Sequence, residues 1–299
     1  MSLSDIWLFL QQGVLSGLCT GSVYALLALA IVAVFKTTDV PNFAQGEIFM
    51  AAGYVALVLL SARVNYAAVI PLTLIAMTAL AALFQRVVME RVMRARGVGV
   101  QFVIATLGLA YALRGLVSLT GLGDTPRSLP GLISSDPVLI GDAVLSRLDV
   151  AIFVAAMVVM VLIYLMFTYT RIGKAMRAVG MNPRAAQIVG IRLSRIRMLV
   201  WAMSGLISAI AALLIMPKVL VTPDIAHLAI LAYAAAIVGG FTSLPGAVLG
   251  GLVIGVVENL VGLFISTNAI VVAPFLAILV TLIVRPQGLL GGKVQVKKV

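Results

Sequence analysis

The sequence predicts an all-α, polytopic transmembrane helical bundle with about eight to nine membrane passages, some of them folded back or broken. Three observations carry that prediction. Of 299 residues, 63% are hydrophobic and 10% charged, whereas a soluble domain averages about 45–50% apolar and about 25% charged. Too little polar surface remains to cover a water-soluble body of this size. The apolar residues also lie in unbroken runs close to the ~20 residues a helix needs to cross a bilayer, without the alternation of barrel strands. Finally, Lys and Arg collect in a few short stretches, as they do in cytoplasmic loops. That rule accounts for the net charge of +11 without invoking nucleic acid.

The opening, MSLSDIWLFLQQ, has no basic region ahead of its apolar residues, so the first apolar segment is expected to stay in the mature protein. Clear spans are expected at 13–35, 66–84, 101–120, 149–168, 198–216 and 270–284. Two further stretches are apolar but punctuated: 42–60, entered through TTDVPNFAQGE, and 228–265, interrupted by GGFTSLPGA. Arg86, Arg91, Arg94 and Arg96 lie in the expected loop 85–100, against Glu90 alone. With Lys36, the stretch 171–197 and the tail residues Arg285, Lys293, Lys297 and Lys298, they make sixteen of the 21 positive residues, all expected on the cytoplasmic side. The stretch 121–149 carries Asp124, Asp136, Asp142 and Asp149 against Arg127 and Arg147, and is expected outside.

These assignments fix the parity of the chain. Span 198–216 runs outward and 270–284 inward, so 228–265 must dip inward, turn at Thr242–Gly246 and return. The first limb is short and either spans with a tilt or is re-entrant. The same parity makes 13–60 dip, turn around DVPNFAQG and return, with the N-terminus outside and the C-terminus cytoplasmic. The whole chain is one transmembrane domain with an external loop at 121–148 and a cytoplasmic loop at 171–197.

That cytoplasmic loop holds seven Lys or Arg and no acid. Asn182 before Pro183 is a good N-cap and first-turn pair, and Gly190 suits the position after a helix end. They predict a short helix over about 183–189, preceded by another over Gly173–Val179 that Gly180 closes. Anionic headgroups would suit such a loop; so would a protein partner.

RAAQIVG, Arg184–Gly190, resembles the EAA-xxx-G loop of the membrane subunits of bacterial ABC importers: Ala185, Ala186 and Gly190 match, and Arg184 stands where that motif has Glu. Gly21–Leu57 resembles the opening of the H-type permease subunit of branched-chain amino-acid ABC importers, through Gly21, Ser22, Tyr24, Ala25 and Leu26, then Asn42, Phe43, Ala44, Gly46 and Glu47. Gln45 departs from the His that many members carry. Val238–Glu258 and Arg285–Gly291 resemble the C-terminal signatures of that family. The resemblance implies a permease subunit paired with an M-type permease or a second copy, with two ATPase subunits and a periplasmic substrate-binding protein. It implies import of Leu, Ile and Val, other amino acids, amides, urea or aromatic acids. Gly173, Arg177, Asn182, Pro183, Arg184, Ala185, Ala186 and Gly190 then form the ATPase-coupling set.

No catalytic residue is expected. A P-loop needs GxxxxGK[ST]. The pairs Gly173-Lys174 and Gly292-Lys293 have Thr168 and Gln287 in place of the first Gly, and Ala175 and Val294 in place of Ser or Thr. ATP and Mg are expected on partner subunits, with no cofactor on this chain. One Cys, Cys19, and one His, His227, exclude a disulfide framework and a Cys/His metal site. Cys19, Met157, Met160 and Met166 read as packing or lipid-facing residues.

Ionisable groups within a bilayer are costly and are functional candidates by default. Glu47 has two readings, complementing a helix N-terminus or gating a path. Arg114 and Glu258 lie at equal depth, roughly 20 Å from the inner end of their helices, and are expected to form a buried ion pair. Ser22, Tyr24, Asn42, Gln45 and Asn259 either line the translocation path or bridge helices. An ion-gradient-driven secondary transporter and a passive solute channel stay open as alternatives to ATP-driven alternating access.

Overall fold

The computed structural model describes residues 3–95, 99–131, 133–141 and 143–292. Arg96, Asp142, Lys293, Lys297 and Lys298 lie outside the described residues. Among the described residues, six helices are long and apolar enough to cross a membrane, and three shorter apolar helices accompany them. The chain divides into two compact units: Met1–Val32, Leu132–Met160 and Ile230–Val299 form one, Ala33–Gly131 and Val161–Ala229 the other.

In the first unit, helix α1 (Leu3–Thr38) supplies its opening turns. They lie against α11 (Leu244–Phe264) through small residues on both helices. A Cβ on Gly17 would stand 2.6 Å from Val256 Cα, and one on Gly21 would stand 2.7 Å from the Gly251 carbonyl. Small residues let helices meet at backbone distance where lipid gives no hydrophobic drive. The expected outer loop holds a hairpin, β1 (Pro137–Ile140) and β2 (Ala143–Ser146), with Pro137 opposite Ser146. The Gln12 side chain donates to the Val144 carbonyl at 2.8 Å and accepts from the Val144 amide at 3.0 Å, so the hairpin edge is tied to α1. Helix α6 (Arg147–Tyr169) follows.

Helix α10 (Leu228–Gly239) has only 12 residues, about 18 Å at 1.5 Å each, well short of a ~30 Å core. The turn lies at 240–243, earlier than the expected Thr242–Gly246, because Ser243 is an N-cap: its hydroxyl accepts from the Gly246 amide at 3.1 Å and Pro245 sits in the first turn. Gly240 takes φ +108°, a conformation only glycine adopts cheaply. The amides of Leu289 and Leu290 donate to the carbonyls of Val238 and Gly239 at 2.8 and 3.0 Å. The Arg285–Gly291 segment thus satisfies the free carbonyls at the end of α10. Helix α12 spans Ala273–Val284, after a 3₁₀ turn at Thr267–Val271 where a continuous span from 270 was expected; Pro274 sets its first turn.

In the second unit, α2 (Gln45–Ser61), α3 (Tyr66–Phe84) and α9 (Leu193–Ile215) pack together, and α5 (Gly99–Leu119) packs on α2. Trp201 is fully buried, its ring 5.4 Å from that of Phe84. A Cβ on Gly205 of α9 would overlap the Met77 carbonyl of α3. Residues 85–94 were expected in a loop. Instead, α3 continues through a π-helical turn at Gln85–Met89 and α4 at Glu90–Arg94. QRVVMERVMR contains no Gly, Pro, Asn or Asp, so nothing in it stops a helix; its charge rides on a helical extension. Helices α7 (Arg171–Met181) and α8 (Pro183–Ile188) follow α6.

Candidate functional site

Helices α7 and α8 form a tight elbow whose local structure follows from its sequence. Thr170 is the N-cap of α7, accepting from the Gly173 amide at 3.0 Å. Asn182 ends α7 and caps α8, accepting from the Ala185 amide at 3.0 Å, and Pro183 opens α8. At the far end Gly190 takes φ +86°. Its amide donates to the Gln187 carbonyl at 3.0 Å, and the Ile191 amide to the Ala186 carbonyl at 2.9 Å, the paired bonds of a Schellman end. The helix predicted over 183–189 is therefore present at Pro183–Ile188.

Helix α7 corrects one expectation. It runs through Gly180 to Met181 and does not close at Gly180. Gly180 is an approach point: a Cβ there would overlap the carbonyl oxygen of Lys36 in α1. A Cβ on Gly173 would likewise overlap the carbonyls of Met166 and Phe167. The Arg177 guanidinium donates to the Phe167 carbonyl and, at 3.2 Å, to the Thr168 carbonyl. It thereby fills acceptors at the end of α6. Ala186 turns inward at 3% exposure while Arg184 and Ala185 face outward. Met181, Ile188 and Val189 are 79%, 87% and 74% exposed, so the elbow presents an apolar tip among arginines.

The Lys36 carbonyl leads directly into the turn between α1 and α2. There Asn42 and Gln45 are fully buried. Asn42 Nδ2 donates to Gln45 Oε1 at 2.9 Å, and the Ser204 hydroxyl of α9 donates to the same oxygen at 2.7 Å. Gln45 Nε2 donates to the Ser208 hydroxyl, which in turn donates to the Ser204 carbonyl at 2.9 Å. Asn42 Oδ1 accepts from the Ala44 amide at 3.2 Å. The network closes on itself and ties the start of α2 to α9. Ser204 and Ser208 were not singled out from the sequence, although their i, i+4 spacing inside an apolar span marks a polar stripe on one helix face.

Glu47 stands in the first turn of α2, half-buried. Ser22 is fully buried and its hydroxyl donates to the Cys19 carbonyl at 2.7 Å. Asn259 Nδ2 donates to the Gly255 carbonyl at 3.0 Å. Both bonds stay within their own helices. The expected Arg114–Glu258 pair is replaced by two others. Arg114 donates to Asp224 at 2.9 Å, with the two side chains 38% and 73% exposed. Glu258 meets the Tyr24 hydroxyl as a hydrogen-bonding partner, leaving its other oxygen, Oε2, buried without one. Arg114 finds a carboxylate, and Glu258 a hydroxyl, within its own unit. Among the described residues, no group of His, Cys, Asp and Glu is arranged to hold a metal ion.

Known proteins share this architecture and sequence. Residues 13–284 match the family described as branched-chain amino acid transport system / permease component. The chain is 28% identical to the high-affinity branched-chain amino acid transport system permease protein LivH of Escherichia coli (strain K12), over 99% of this chain and 100% of LivH. It is 30% identical to the corresponding permease protein BraD of Pseudomonas aeruginosa, over 99% of each. Among solved structures, PsaBC from Streptococcus pneumoniae in complex with Fab shares the fold, with a TM-score of 0.50 at 14% identity over 93% of this chain and 92% of that one. Matched along nearly its whole length, the chain belongs to the family of branched-chain amino-acid transport system permease components, and is a multi-pass membrane protein.

Proposed function

We propose that this chain is the membrane-spanning subunit of an ATP-driven importer that moves branched-chain amino acids or related small polar solutes by alternating access. The names of the LivH and BraD relatives support that substrate class. The observation that carries the ATP-driven reading is the α7–α8 elbow. It is capped at both ends, seated on the backbone of α1 and α6, free of acids, and tipped with exposed Met181, Ile188 and Val189. A solvated loop gains nothing from such a tip. A partner with an apolar, acid-rimmed cleft does.

In this reading the elbow faces the cytoplasm, with the N-terminus outside and the C-terminus inside. Two ATPase subunits dock on the elbow and on its counterpart in a second permease, and a periplasmic binding protein delivers the solute. ATP and Mg belong to the ATPase subunits. A push on α7 reaches α1 at Lys36, then the Asn42–Gln45 turn, then α9 through Ser204 and Ser208. Glu47 and Glu258, whose Oε2 is buried without a partner, are the pathway residues in this account, while Ser22, Asn42, Gln45 and the Asn259 amide nitrogen engage fixed partners. The test is uptake by the purified complex in proteoliposomes. Uptake that requires internal ATP and survives collapse of ion gradients supports the reading; uptake driven by a gradient alone, or flux without ATP, overturns it in favour of a secondary transporter or a channel.

A further inference from the structure

The helical extension of α3 builds a second polar site. At its π-helical turn, Gln85 is 1% exposed, and neither its amide nitrogen nor its amide oxygen has a hydrogen-bond partner. A buried amide left unpaired carries its desolvation penalty without compensation, and π turns inside α-helices mark functional sites often enough to ask what this one serves. Gln85 lines a cavity of about 490 Å³ together with Arg86, Arg91, Arg94, Ser194 and Arg195. The one carboxylate in the lining, Glu90, contacts Arg94 through Oε1 at 3.6 Å, while its Oε2 is buried and without a partner. Four arginines thus line a space whose walls include Gln85, with a buried idle amide, and Glu90, with one buried idle carboxylate oxygen.

We propose that this cavity binds the headgroup of an anionic glycerophospholipid of the phosphatidylglycerol type. Guanidinium groups pair with phosphate oxygens in two-pronged fashion, and the Gln85 amide supplies a further donor. Glu90 Oε2 accepts from a headgroup hydroxyl. The position fits a lipid better than a free anion. The apolar run of α3 ends at the cavity and that of α9 begins there, so the site lies at the boundary between hydrocarbon and water. Leu83 and Val87, ahead of Arg91 on the same helix, and Leu199, one turn beyond Arg195, are 61%, 39% and 37% exposed. They offer acyl chains an apolar surface that a free phosphate would leave bare.

The test uses the full-length purified chain in detergent, with lipid binding read by native mass spectrometry and by thermal unfolding. Phosphatidylglycerol is expected to bind at least about tenfold more tightly than phosphatidylcholine, and R91Q/R195Q is expected to abolish that preference. Gln85→Leu is expected to raise the melting temperature of the lipid-free chain, because it removes an unpaired buried amide, and to shrink the further rise that phosphatidylglycerol produces. Equal binding of the two lipids, unchanged preference in R91Q/R195Q, or an unchanged lipid-induced rise in Gln85→Leu would overturn the proposal. So would inorganic phosphate stabilising the chain as much as phosphatidylglycerol, which would make the site one for a free anion.

Discussion

The backbone of Gly180 in α7 rests on the carbonyl oxygen of Lys36 in α1, so closely that no side chain fits between them. The elbow is therefore seated on the end of the helix that leads into the Asn42–Gln45 turn. Gly180→Ala must force α7 away from Lys36, and overpacking of this kind costs about 1–3 kcal/mol. We expect a lower melting temperature and, with the complex still assembled, less solute imported per ATP hydrolysed. Unchanged coupling in a correctly assembled Gly180→Ala complex would show that this contact transmits nothing.

Gln45 is the hub of the buried network. Gln45→Leu leaves the Ser204 hydroxyl without its acceptor, an orphan costing about 1–3 kcal/mol, while the Ser208 hydroxyl keeps the Ser204 carbonyl. Adding Ser204→Ala and Ser208→Ala removes that orphan, so the triple variant is expected to recover part of the stability lost by Gln45→Leu alone. Melting temperatures of Gln45→Leu, Ser204→Ala/Ser208→Ala and the triple variant in one detergent check this. Simple additivity of the losses would count against a shared network.

The caps of α8 should respond as local chemistry requires. Asn182→Ala removes the acceptor for the Ala185 amide and is expected to cost about 1 kcal/mol, with Asn182→Ser nearly neutral. Gly190→Ala places a Cβ at φ +86° and is expected to cost about 1–2 kcal/mol. Limited proteolysis across 181–192 reads both, as faster cleavage in the two Ala variants and wild-type rates in Asn182→Ser.

Arg114 and Asp224 form a half-exposed ion pair. A double-mutant cycle with Arg114→Met and Asp224→Leu is expected to give a coupling of about 0–1 kcal/mol, and the cycle pairing Arg114→Met with Glu258→Leu is expected to be additive. A larger coupling in the second cycle than in the first would restore the pairing that depth along the helices suggested.

The residues that were legible in the sequence are those whose role is set by their neighbours in the chain. Asn182, Pro183 and Gly190 announce the start and end of α8 because capping involves only four or five consecutive residues. The breaks in 13–60 and 228–265 are legible because Pro and Gly punctuate both stretches. What escaped depends on rotation and approach. Gly180 suits a helix end as well as a close contact, and only the neighbouring Lys36 carbonyl decides between them. Ser204 and Ser208 look like ordinary small residues until Gln45 faces them. Residues 85–94 carry the charge of a loop, but their helix propensity continues α3 through them.

The elbow as the seat of the driving subunit is tested most directly by asking what co-purifies with it. The chain should be tagged, expressed with its neighbouring subunits, and isolated with and without Ile188→Asp and Val189→Asp, two substitutions at exposed positions that leave the Asn182 side-chain cap and the Gly190 turn in place. The account predicts that the wild-type chain brings down an ATPase subunit and that the double variant, with an unchanged melting temperature, loses both the ATPase and ATP-driven uptake. A double variant that kept the ATPase and imported solute at the wild-type rate would contradict it.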